Sequence, residues 1–149
     1  MAKFKRILVT TDFSDAGNKA VDDAFELAAD MGAHVALLTV LERDPRTARC
    51  FIDYTPMESE DHINKAKDQA REKLLALVPD ALKSKVSHEV VPFVADSPWK
   101  GILEAVKNFG ADLLVISDHG MSALEKLVLG STADRVLRSV DIPVLLIKD

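Results

Sequence analysis

The chain has 149 residues, enough for one domain that buries about two thirds of its unfolded surface. Its 24 Asp and Glu outnumber 19 Lys and Arg, a net charge of −5, so no basic field is available to hold a nucleic acid backbone. With 48 % hydrophobic but only 5 % aromatic residues, the core must rest on Val, Leu, Ile and Ala, and no run approaches the roughly 18 to 20 apolar residues of a membrane span.

The start, MAKFKRILVTTDFSD, has no apolar stretch long enough for a secretory leader. A lone cysteine, Cys50, cannot form an internal disulfide. Both features predict a cytoplasmic protein.

In chain order, Arg6 to Thr11 is an almost continuous apolar run, as expected of a strand buried on both faces. A helix from Ser14 to Met31 follows, with Val21, Ala24, Phe25, Ala28 and Met31 on one stripe and Gly32 as its stop. His34 to Val40 reads as the second strand. The segment from Leu41 to Met57 has two prolines and no period, so it reads as a long loop. Ser59 is the expected cap of a helix to Val78 with Ile63, Ala66, Ala70, Leu74 and Leu77 inward, ended by Pro79.

Ser87 to Val94 is the third strand, and Pro92 predicts an edge position for it. Ser97 is the expected cap of the next helix, with Pro98 first and Gly110 past its end. Gly101 inside that helix costs about 1 kcal/mol against alanine, which close packing or a nearby ligand would explain. Asp112 to Ser117 is the fourth strand. A last helix carries Ala133, Val136, Leu137 and Val140 inward, and Ile142 to Lys148 is the fifth strand.

Strands alternating with helices predict an α/β fold: a five-stranded parallel sheet with helices on both faces, Rossmann-like in architecture. Ligands of such sheets bind outside the carboxyl ends of the strands, where strand order reverses. Four loops converge there, containing TDFSD, LERDP, ADSP and SDHG. Neither G-x-G-x-x-G nor the P-loop signature follows the first strand, and a phospho-acceptor receiver would need paired acids there.

What remains is S-x-x-G (Ser117 to Gly120), nine residues, then Gly130, Ser131 and Thr132. The pattern resembles the universal stress protein family, whose motif is G-x-x-G, nine residues, G-S/T. The likeness extends to ILVTTDFSD, SPWKGIL, LLVISDHG and LGSTADRVLRSVDIPVLLIK, and is least in the loop from Pro45 to Met57. The resemblance implies a stress-response sensor or regulator that binds ATP. It assigns Asp12 to the adenosine part, Val40 to the adenine pocket, and Ser117, His119, Gly120, Gly130, Ser131 and Thr132 to ribose and phosphates, with Thr11 and Ile116 beside them. Helix-start N–H groups after Gly130 and the hydroxyls of Ser131 and Thr132 suit phosphate oxygens on physical grounds also.

There are two departures from the family pattern. Ser117 stands where the motif has its first glycine, and Thr10 where a proline is usual. Family members that lack the motif do not bind ATP, so a dimeric stress protein with an empty site is the second reading. A slow ATPase, with His119 or Asp118 contributing, is the third, since no catalytic set is evident. Asp12, Ser131 and Thr132 are also the residue types that cap helices without any ligand.

His34, His62 and His88 read as solvated or strand-edge residues. No histidine pair has metal-ligand spacing, and Mg or Mn would arrive with the phosphates. The short, apolar fifth strand at the chain end predicts a homodimer paired through it, as the resemblance also implies.

Overall fold

The structure is a computed structural model that describes residues 3–43, 60–118 and 129–148. Its elements run β1 (Arg6–Thr10), α1 (Asp15–Met31), β2 (His34–Glu42), α2 (Glu60–Leu77), β3 (His88–Ala95), α3 (Pro98–Phe109), β4 (Leu113–Ser117), α4 (Ser131–Ser139) and β5 (Val144–Ile147). Every pairing is parallel, in the order β3-β2-β1-β4-β5. The expected α/β sandwich is therefore present. Both predicted edge strands, β3 with its Pro92 and β5, lie at the edges.

The continuous apolar run of β1 is explained by burial on two sides. Ile7 and Val9 pack with α1 and the end of α2, while Leu8 packs with α3 and α4. Phe25, Val21, Ala24 and Ala28 of α1 fill the first layer. Ile102, Ala105, Val106, Ala133 and Val136 fill the second. Leu137, expected inward, is instead 38 % exposed, while Ala133 and Val136 of the same helix are buried.

Helix ends follow local chemistry with some corrections. Ser14 caps α1, its Oγ accepting from the Gly17 N–H at 3.1 Å, and Gly32 closes it with a left-handed residue. Ser97 precedes α3 in an extended conformation, but its side chain makes no cap bond, and its Oγ is buried without a partner. Cys50, Ser59 and most of the Leu41 to Met57 segment lie outside the described residues. His34, read as solvated or at an edge, contacts Ser87 at 2.7 Å and Glu89 at 3.3 Å across to β3.

Gly101 answers to packing. A Cβ there would lie 2.7 Å from Cγ1 and 2.9 Å from Cγ2 of Val40, and 3.0 Å from Cβ of Ala95. α3 thus rests directly on the carboxyl-terminal halves of β2 and β3.

Candidate functional site

The order β3-β2-β1-β4-β5 reverses direction between β1 and β4, so the loops leaving these two strands open a crevice at their carboxyl ends. Thr11, Asp12, Ser117 and Asp118 are the residues at its mouth. Of the expected site residues, Thr11, Asp12 and Ser117 lie at this switch point.

On the β1 side, Thr11 is 4 % exposed and fully employed. Its N–H donates to the Leu38 carbonyl at 2.9 Å, its hydroxyl donates to Asn18 Oδ1 at 3.0 Å, and its Oγ1 accepts from the Phe13 N–H at 3.0 Å. Asp12 does not cap α1 directly. Its Oδ1 accepts from the N–H and the hydroxyl of Ser14, which is itself the cap.

Phe13, between them, has φ 67°, a left-handed conformation that costs a non-glycine residue of order 1 to 3 kcal/mol. The Thr11 bond and packing against the α1 layer offset that cost. Gly17 lets the first turn of α1 approach, since a Cβ would come within 2.7 Å of Thr11 Oγ1 and 3.0 Å of Asp12 Oδ1. Sequence reasoning missed Phe13, Gly17 and Asn18 as supports of this loop. The available signal was a glycine in the first turn of a helix that follows an Asp-x-Ser.

On the β4 side, backbone bonds tie the end of β4 to β5 and to the start of α4. The Asp118 N–H donates to the Ile147 carbonyl at 2.9 Å, and the Asp118 carbonyl accepts from the Gly130 N–H at 2.8 Å. That second bond ties the two halves of the glycine motif together. α4 then begins at Ser131 with Gly130 as its N-cap and no side-chain cap bond, so neither Ser131 nor Thr132 caps the helix. The first backbone bond back to the cap comes from Asp134 N–H to the Gly130 carbonyl at 2.9 Å. The N–H groups of Ser131, Thr132 and Ala133 consequently have no partner within the helix, at the end where the helix dipole is positive. Gly130 has φ −60° and ψ 151°, so no left-handed conformation is demanded of it. His119 and Gly120 lie outside the described residues.

Val40 completes the crevice in a way the sequence did not show. β2 runs on to Glu42, pairing β3 as far as Ala95, whereas its pairing with β1 stops at Leu38 opposite Thr10. Alternate residues of a strand turn their N–H and C=O to the same side, so Val40 directs its pair to the side of Leu38, beyond the end of β1. Its side chain packs beneath Gly101 of α3. What Val40 offers to the crevice is a backbone donor and acceptor. Ile116 is buried in the α3 and α4 layer, and Ser117, half-buried, pairs with Ile147.

The model of the family described as "Universal stress protein family" matches residues 3–148. The chain belongs to the universal stress protein family. Among the family's members, universal stress protein YxiE of Bacillus subtilis (strain 168) is 30 % identical over 148 residues, spanning 97 % of this chain and 99 % of that one. The solved structure of MJ0577 of Methanocaldococcus jannaschii has the same fold, with a TM-score of 0.77 at 24 % identity over 97 % of this chain and 96 % of that one. A universal stress protein in complex with cAMP aligns with TM-score 0.63 at 25 % identity, covering 97 % of each chain. The Archaeoglobus fulgidus family member in complex with dAMP aligns with TM-score 0.64 at 19 % identity, covering 99 % of this chain and 100 % of that one.

Proposed function

We propose that the chain binds an adenine nucleotide, ATP in preference to AMP, in the crevice between β1 and β4, and that it serves as a stress-response sensor or regulator in the cytoplasm. The observation that carries this reading is the bond from Gly130 N–H to the Asp118 carbonyl, which brings the uncapped start of α4 to the switch point of the sheet. Adenine has a donor and an acceptor on one edge, a match for the backbone pair that Val40 turns past the end of β1. Ribose then lies by Asp12 and Ser117, and the phosphates by Gly130, Ser131 and Thr132. Family members solved with cAMP and dAMP support an adenine nucleotide as the ligand class.

Among the described residues no group of three or more His, Cys, Asp or Glu side chains could hold a metal ion. Mg or Mn would come with the phosphates, whose oxygens such hard cations prefer. Calorimetric titration tests the reading: ATP is expected to bind more tightly than AMP or GTP. Equal affinities for ATP and AMP would show that the start of α4 takes no outer phosphate.

The same proposal includes a homodimer paired through β5. This strand is at the sheet edge, and Leu145 within it is 38 % exposed. An apolar edge strand invites pairing with a second copy. Sedimentation at micromolar concentration is expected to give twice the 16.3 kDa chain mass, and a species of that chain mass alone would refute the dimer.

A further inference from the structure

The starts of α3 and α4 meet at the carboxyl end of the sheet. Trp99 stands in the first turn of α3, and the guanidinium carbon of Arg135, one turn into α4, lies 5.4 Å from the centre of its ring. Side chains on a helix lean toward its N-terminus, so a residue covers the turn before its own. Arg135, four positions after Ser131 on the same exposed stripe, covers the turn where the nucleotide reading puts the phosphates.

Charge balance gives this placement a purpose. The segments that form the crevice bring Asp12, Asp118 and Asp134 with them, in a chain of net charge −5, so a triphosphate there needs cationic compensation. Among the described residues, three other cations near this end are engaged. Arg138 holds both oxygens of Asp134 through Nε at 3.1 and 3.2 Å, Arg43 pairs with Asp96 at 3.1 Å, and Lys19 donates to the Lys148 carbonyl at 3.2 Å. Lys100 also lies over Trp99, at 5.7 Å, but it extends from α3. Among the described residues, exposed Arg135 has no carboxylate partner and is held only by an aromatic face. That contact is weak beside a charge-assisted, two-pronged bond from guanidinium to phosphate.

We infer that Arg135 is a phosphate-binding residue: it leaves the Trp99 ring for the outer phosphates when ATP binds. This rests on the nucleotide-binding reading above and names what gives that site its preference for the triphosphate. Trp99 is the sole tryptophan, so intrinsic emission reports directly on its contact with Arg135.

The test titrates ATP and AMP into the parent, Arg135→Gln and Arg135→Lys, with affinity from calorimetry and Trp99 emission recorded alongside. Arg135→Gln is expected to weaken ATP about tenfold or more while changing AMP less than about twofold. ATP should alter Trp99 emission in the parent and AMP should not. Arg135→Lys, which keeps the charge but not the fork, should fall between the two and carries the test if the glutamine disturbs α4. Unchanged ATP affinity in both variants, with normal binding to the parent, overturns the role of Arg135 and leaves the nucleotide site standing. A parent that binds neither nucleotide overturns both.

Discussion

Gly130→Val is expected to abolish measurable ATP binding while leaving the fold intact. The backbone at this position has φ −60° and ψ 151°, a region open to valine, and the N–H that reaches the Asp118 carbonyl is retained. Stability should therefore change little. The branched side chain, however, would stand beside the N–H groups of Ser131 and Thr132, where a phosphate must approach. Losing two charge-assisted hydrogen bonds of about 1.5 to 3 kcal/mol each predicts a fall in affinity on the order of 100-fold or more. Circular dichroism establishes that the variant is folded before calorimetric titration with ATP. A folded variant that binds ATP as the parent does would mean that Gly130 serves only the turn.

The second large effect is on stability, at Gly101. Alanine should gain about 1 kcal/mol over glycine as a helix former. Its Cβ would nevertheless arrive 2.7 Å from Val40 Cγ1 and 3.0 Å from Ala95 Cβ, neither of which is the end of a flexible side chain. Overpacking of this kind costs about 1 to 3 kcal/mol, and contacts this short belong at the upper end. Net destabilisation of about 1 to 2 kcal/mol is expected, a fall in melting temperature of roughly 2 to 8 °C for a chain of this size. Because the displaced neighbour is Val40, affinity for ATP should fall with it. Thermal unfolding that shows Gly101→Ala to be more stable than the parent would mean that α3 shifts freely on the sheet.

The element order was legible because apolar periodicity records burial: the two-sided burial of Ile7, Leu8 and Val9 leaves an unbroken run, and the stripe of Val21, Ala24, Phe25 and Ala28 marks one face of α1. The edge position of β3 was legible from Pro92, which lacks a backbone donor. Pairing beyond neighbours was not. β2 extends past Val40 to Glu42 because β3 continues beside it after β1 has ended, a property of the sheet and not of the segment.

Caps show the same limit. Several hydroxyl or carboxylate residues adjoin each helix start, and which one bonds depends on the angle at which the chain enters. Hence Ser14, and not Asp12, caps α1, Ser97 caps nothing, and Gly130 leaves α4 open. The left-handed Phe13 carries no local signal at all, since phenylalanine disfavours that conformation. It is imposed by bonds that Thr11, Asn18 and Ser14 make around the loop. The spacing of the glycine motif was legible, yet the bond from Gly130 N–H to the Asp118 carbonyl that joins its two ends was not.

Whether this crevice holds an adenine nucleotide is tested most directly by chromatography of what the protein releases on denaturation. The purified protein is incubated with ATP and magnesium, freed of unbound nucleotide, denatured, and its released small molecules are separated and identified. Adenine nucleotide in near-stoichiometric amount is the predicted result. Folded protein that releases none, and shows no heat of binding with ATP, would contradict the nucleotide site.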